Sequence, residues 1–491
     1  MKKFLSIVLL LAMTIALLFG DSYGVLMQGE SEEEKFYKNA LIIWYTDPDL
    51  GEYIRDAAVT YENKTGVKVI PTEVSEVEYL EQIQKSTTEG NKAPDLFVLS
   101  DESLEKAVLS GLAGECADPD HVLNSGVYTD ASLRAVTYRD SFYGYPLSYE
   151  TAFLIYNETA MEEIAGDVIR REEQADEIPE DTEGITLAEG VTAEGEGEAE
   201  EEELTEEDIA KRRAKAQEIL PTSVVGILDF ANQYNLPSDV EGYFLWDTED
   251  VLYSYWFAGA YLNVGGKCSD RNEDISIYNE NALYSLSVFR DFKDFFSMED
   301  KVTYEDSVSA FMNRKCLFTV AGTDIVGKLA NASEAGNFTD EYGVLPMTML
   351  NANLSSKGLG VTNMICVNGL KENRGEAERF ADFATSGYIS NLYARCGKMS
   401  AAHLEEYAYP QMEDIEKCYD NSVSLPKMVE TTNYYILAEM CFANIWDGRD
   451  VNDELKSLSE SVLRNYYGND FVNETIETPE IVENYNAQDE N

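Results

Sequence analysis

The stretch YGYPLSYETAFLIYNETA, residues 143–160, sets a single carboxylate, Glu150, between two apolar runs, Tyr143–Tyr149 and Thr151–Tyr156. Both runs are rich in Tyr, Phe and Ile, the residues that fit a pleated, half-buried surface, and both read as strands. A carboxylate in that setting has to be paired, hydrogen-bonded or open to solvent in a cleft, because burying it alone is costly. The elements on either side decide which.

Upstream, strands alternate with helices. NALIIWYT (39–46) is a buried strand stopped by Asp47-Pro48-Asp49, and Ile54, Ala57, Ala58 and Tyr61 repeat at helical spacing until Lys64-Thr65-Gly66. VKVIPTEV is a second strand, Glu76–Glu89 a helix, and APDLFVLS a third strand; Leu104, Ala107, Val108 and Leu112 form the stripe of a further helix. This alternation predicts a parallel sheet with right-handed crossovers.

Downstream, Ile164–Ile219 breaks the rhythm. Its Gly- and Glu-rich middle cannot bury enough surface to order itself, so residues 165–218 read as a largely disordered acidic insertion. Its end is better specified: Thr205 and Asp208 have capping-box spacing, with Lys211-Arg212-Arg213 further along a helix. Beyond Pro221, one helix carries Val224, Ile227, Leu228 and Ala231, and a second carries Leu252, Tyr255, Trp256 and Gly259. A helix over 281–296, the strands CLFTVAG, YGVLPM and TNMICVN, a helix over Gly375–Cys396 and two last helices around Tyr435–Trp446 and Val451–Val462 follow. The acidic tail, 469–491, is expected to fray.

At 491 residues the chain exceeds what one core organises, which points to two lobes. A formal charge of −55 excludes nucleic acid and anionic lipid as partners, since both need basic patches. Much of that charge lies in Glu172–Asp208, which has no Lys or Arg and no calcium-loop spacing, so it reads as solvated charge. Seven scattered cysteines without a C-x-x-C pair argue against a disulfide framework. Neither His121 nor His403 has a metal-ligand partner nearby, and both read as loop or surface residues. No phosphate-cradling glycine motif occurs, so no cofactor or metal is expected. Lys2, Lys3 and the apolar run Phe4–Phe19 make residues 1–28 an export signal, either cleaved after Gly24 or kept as a membrane anchor.

Taken in order, LIIWYTDPD, YENKTGVKV, APDLFVLSDESLEKAVLSGLAGE, YRDSFYGYPLSYETAFLIYN, the stretch from Trp246 to NVGG at Gly266, FMNRKCLFTVAG and YGVLPM resemble a known family. It is the extracellular family-1 solute-binding proteins of ABC importers, the group that includes maltose-binding protein. The resemblance implies an α/β, two-lobe periplasmic-binding-protein-like (type II) fold with hinge crossovers and a ligand cleft between the lobes. Lobe one would comprise 39–148 plus 358–402 and lobe two 149–351 plus 403–467, placing Glu150 at the cleft floor. By position in the family, the ligand contacts would be Thr46, Asp47, Asp101 and Glu150, with Asp247, Glu249, Trp256 and Asp324 from lobe two and Tyr434 or Tyr435 as a further stacking residue. At Asp324 sugar binders of the family often carry an aromatic, and here the residue is an acid.

Carboxylates that accept paired hydroxyls and aromatic faces that cover a pyranose suit a sugar or oligosaccharide. The resemblance implies a monomeric, non-enzymatic carrier at the extracellular face, docking on ABC transporter permease subunits. The same acids would suit a cationic ligand such as a polyamine or metal, and two of them could in principle serve a glycosidase. A surface adhesin or scaffold that has lost transport is a further reading.

Overall fold

The computed structural model describes residues 40–89, 92–176, 205–296, 298, 301–372 and 374–479. Residues 1–28, expected to form an export signal, the Gly- and Glu-rich middle of the insertion and the end of the tail lie outside the described residues.

Eleven strands build two sheets: β1 Leu41–Tyr45, β2 Val69–Glu73, β3 Leu96–Ser100, β4 Tyr145–Thr151, β5 Phe153–Asn157, β6 Gly242–Phe244, β7 Cys316–Ala321, β8 Tyr342–Leu345, β9 Leu359–Val367, β10 Met399–Ser400 and β11 Val423–Ser424. The larger sheet runs β10-β4-β9-β3-β1-β2, with β11 beside β9; the smaller runs β8-β5-β7-β6. β1 pairs in parallel with β2 and β3, as the strand–helix alternation predicts, whereas β9 and β4 enter antiparallel.

Only Ala152 separates β4 from β5. The stretch 143–160 therefore carries the chain straight from one sheet into the other. In β4 every residue is buried except Glu150, and Thr151 Oγ1 ties the crossing to β9 by donating to the Leu359 carbonyl at 2.8 Å. The chain crosses back between β8 and β9, and returns to the larger sheet again at β11, which pairs with Leu359–Gly360. That last strand falls inside 403–467, the stretch assigned from sequence to lobe two.

Local signals explain most elements. The helix Leu50–Thr65 buries Ile54, Ala57, Ala58 and Tyr61 and ends at Gly66, whose φ of 77° lies in the left-handed region that favours glycine. Thr205 and Asp208 close a full capping box ahead of the helix Glu206–Ile219. Two helices differ from expectation. The stretch 375–396 is broken: after Asp382 it passes through a π-turn at Phe383–Gly387 and a 3-10 turn at Ile389–Asn391 before resuming at Leu392. Thr385 and Ser386 hydroxyls donate to the carbonyls of Ala381 and Asp382, a geometry that bends helices. The helix through Leu252 and Gly259 is two separate 3-10 turns, Val251–Tyr253 and Tyr255–Phe257.

The core of the second lobe is aromatic. Trp246, Phe257, Phe289, Phe292 and Trp446 are buried there and pack ring to ring. Residues 469–479 are not frayed: Asn473 donates to Glu460 and Ser459, and the Ile476 amide donates to Tyr278 Oη at 3.1 Å. All seven cysteines are free, and among the described residues no helix is long and apolar enough to cross a membrane.

Candidate functional site

β10 pairs antiparallel with β4, Met399 opposite Tyr149 and Ser400 opposite Ser148. Continuing that register puts Lys398 opposite Glu150. The chain reaches this point because Gly397, at φ 69°, ends the helix Leu392–Cys396 and turns it onto the strand. Lys398 Nζ donates to Glu150 Oε1 at 3.1 Å and to Asp47 Oδ2 at 3.0 Å. Glu150 is 46% exposed and Lys398 only 19%. Burial by itself would lower the Lys398 pKa, but the two carboxylates outweigh it and hold the ammonium above its ordinary value. Glu150, the acid between the two apolar runs, is thus both paired and open to a cleft.

Glu150 and Lys398 line a cavity of about 540 Å³ whose opposite wall comes from the smaller sheet's lobe. Tyr253 and Tyr304 stack there, ring centroids 4.7 Å apart and planes 15° from parallel. Tyr304 Oη donates to Asp324 Oδ1 at 2.6 Å and accepts from the Gly322 amide at 3.1 Å. Lys328 neutralises Asp324 at 2.7 Å and lies 4.5 Å over the Tyr304 ring. Burial, then the Asp324 charge, push the Tyr304 phenol far above its usual range, so it stays a hydrogen-bond donor. Thr303 caps the helix Tyr304–Met312 with a full capping box, which fixes Tyr304 as its first residue.

A second cavity, about 560 Å³, opens on the larger sheet's lobe at the carboxyl ends of β1 and β3, where open α/β sheets bind ligands. Thr46, Asp47, Ser100, Glu102 and Asn363 line it, together with Glu76 and Glu78 from the loop after β2. Burial, then the charge of Glu76, raise the Glu102 carboxyl above its ordinary value. Asp47 lines this cavity while Lys398 and Glu150 line the first, so their ion pairs form the boundary between the two.

Of the residues expected from sequence, Thr46, Asp47, Glu150 and Asp324 line these cavities. Asp101 does not. The 3-10 turn Asp101–Ser103 folds its side chain back onto β9, where it is wholly buried and Oδ1 accepts from the Thr362 amide at 3.2 Å. Its neighbours Ser100 and Glu102 face the cavity instead. Trp256 is core: its Nε1 donates to the Tyr253 carbonyl at 2.7 Å and its ring packs on Phe257. The break at Ser254 between the two 3-10 turns presents Tyr253 to the cleft in its place. Tyr434 is buried with its hydroxyl 2.8 Å from that of Tyr255, and Tyr435 donates to Asp250. Asp247 shapes a turn, accepting from the Glu249 and Asp250 amides at 2.7 and 3.0 Å, and Glu249 pairs with Lys301 on the surface.

Among the lining residues outside the expectation are Tyr253, Tyr304, Tyr393 and Lys398. A capping box at Thr303-x-x-Asp306 was available to flag the helix that positions Tyr304; nothing local marks Lys398. Among the described residues no group of three or more His, Cys, Asp and Glu side chains could hold a metal ion. Stacked phenols beside paired carboxylates can cover an apolar ring face and accept hydroxyls at its edge.

The sequence profile of the bacterial extracellular solute-binding proteins matches residues 56–393. A galactooligosaccharide-binding protein of Bacillus subtilis (strain 168) is 30% identical over 125 residues, which is 25% of this chain and only 28% of that protein. A cyclo/maltodextrin-binding protein solved with maltotetraose superposes with a TM-score of 0.65 at 14% identity, covering 87% of this chain and 97% of that one. An extracellular solute-binding protein from Staphylococcus aureus, solved with maltose, gives 0.66 at 15% identity over the same shares. At such identities these likenesses bear on the fold alone.

Proposed function

The chain belongs to the bacterial extracellular solute-binding proteins, and from that premise we propose that it captures a carbohydrate, an oligosaccharide by preference, between its two lobes. Closure of the lobes then commits the ligand, and the closed form hands it to the permease of an ABC importer at the extracellular face. The family is one of binding proteins rather than enzymes, so the acids of the cleft act as hydrogen-bond acceptors.

The observation that carries this reading is the facing of Glu150 by the stacked pair Tyr253 and Tyr304 across one cavity, with Asp324 held beside the pair. An aromatic platform with carboxylates at its edge supplies both surfaces of a pyranose. Two adjoining cavities of about 560 and 540 Å³ give room for more than one sugar ring. The neighbours' maltose, maltotetraose and galactooligosaccharides point the same way.

A thermal-shift screen over α- and β-linked oligosaccharides tests it, because a ligand specific to the folded state raises the melting temperature. At least one oligosaccharide should do so, and Glu150→Ala and Tyr304→Ala should weaken it about tenfold or more, the loss of one charge-assisted bond or one stacking face. A panel without any shift overturns the reading.

A further inference from the structure

The cleft of a chain with a formal charge of −55 would ordinarily attract cations. Asp47 comes from the loop after β1 and Glu150 from β4, yet both give an oxygen to one ammonium, Lys398 Nζ, at 3.0 and 3.1 Å. Its position is set by the backbone rather than by side-chain chance. Gly397 turns the chain in the left-handed region, and the β10–β4 register then leaves Lys398 facing Glu150. The stem is mostly enclosed, so the ammonium has little freedom to swing into water. On the other wall Lys328 does the same for Asp324 at 2.7 Å.

We propose that Lys398 is a specificity-determining residue: an internal counter-cation that occupies the place a cationic ligand would take and so restricts the cleft to uncharged ligands. A polyamine or metal would have to displace an ammonium already held by two carboxylates, whereas a neutral polyol can add its hydroxyls around the existing pairs. The inference rests on the reading of this cleft as the ligand site, but not on the ligand being a sugar. It also assigns Asp47 and Glu150 a joint role, since the two carboxylates share one ammonium.

The experiment titrates the full chain, Lys398→Gln and Lys398→Arg with spermidine by calorimetry, at low and high NaCl, and in parallel with whichever oligosaccharide shifts the parent's melting temperature. Lys398→Gln should gain spermidine affinity by about tenfold or more over the parent, and the gain should fade as salt screens it. Lys398→Arg, which restores the cation, should behave as the parent. Should Lys398→Gln not fold, Lys398→Met keeps the methylene stem and repeats the test. Equal spermidine binding by parent and charge-removed variant, or none by either, overturns the inference. Absence of oligosaccharide binding by all proteins overturns the carbohydrate reading and leaves the charge result standing on its own.

Discussion

At Asp101 the chain buries a carboxylate completely, with one oxygen on the Thr362 amide and the other without a hydrogen-bond partner. The nearest compensating charge is Lys427, itself buried, whose ammonium donates to the Arg134 and Thr137 carbonyls at 2.6 and 2.7 Å. Burial pushes the Asp101 carboxyl up from 3.8 to about 7 against the pull of Lys427, and pushes Lys427 down to about 8 against the pull of Asp101. From pH 3.8 to about 7 the folded protein therefore keeps a proton that the unfolded chain has released. Stability from this group falls as pH rises through that window. Asp101→Asn lacks the effect. Its unfolding free energy relative to the parent should climb by up to about 1.4 kcal/mol per pH unit across the window and level off above it. Urea denaturation at stepped pH measures this, and a difference that stays flat from pH 4 to 7 would refute the assignment.

Among the elements, the helix Tyr304–Met312 shows how a cap reaches the site. Its first residue stacks on Tyr253 and bonds Asp324, so whatever frays the first turn also loosens the platform. Thr303→Ala removes one half of the capping box and should cost about 1 kcal/mol. If all of it appears in binding, ligand affinity drops about fivefold, although Thr303 is not among the residues lining the cavity. Calorimetry beside urea denaturation separates the two, and unchanged affinity would mean the turn holds without its cap. The helix pair Glu158–Asp176 and Glu206–Ile219 is built differently along its length. Near the lobe, Met161, Ile164, Ala165 and Ala216 are buried in the aromatic core, so Ala165, expected to open the insertion, belongs to the packed lobe. Farther out the two helices are joined by Glu172–Lys215 and Glu173–Lys211 ion pairs. Exposed pairs of that kind contribute little, which leaves the outer turns the weaker part of the hairpin.

For the whole molecule, the consequence of two sheets joined at Ala152, before β9 and at β11 is a hinge. The strands that cross it are short and hydrogen-bonded to one another, through Thr151 to Leu359 and Leu359 to Val423. Each lobe has its own buried cluster. A third spans the crossing, packing Tyr149 and Met399 of the larger sheet with Ile155, Phe311 and Val344 of the other lobe, so a rotation of the lobes would have to shear that shared cluster. Under the proposed function, a ligand that touches Glu150 and Lys398 on one side and Tyr253 and Tyr304 on the other would favour a closed arrangement by its extra contacts there. Small-angle scattering should accordingly give a smaller radius of gyration at saturating oligosaccharide than without it. The same radius in both conditions would rule out closure as the response to ligand.

Many strand and helix identities were legible in the sequence because they rest on short-range physics, namely apolar runs, helical spacing, capping boxes and the glycines that stop helices. The helices Tyr304–Met312, Ile325–Glu334 and Gln411–Asp420 were not read from it. The two strands at residues 143–160 were legible too, whereas the crossing between lobes came from the family resemblance and not from the local pattern. Thr46, Asp47, Glu150 and Asp324, which the family resemblance implied, line the two cavities. The rest was decided by tertiary structure. Whether Asp101 or its neighbours face solvent depends on the sense of a 3-10 turn, and whether Trp256 or Tyr253 lines the wall depends on a break at Ser254. Lys398 meets Glu150 across 248 residues of chain, through a strand register that no local pattern encodes. Side-chain direction and long-range pairing are set only when the sheets form, and on this protein they determine which charges the cleft leaves for a ligand.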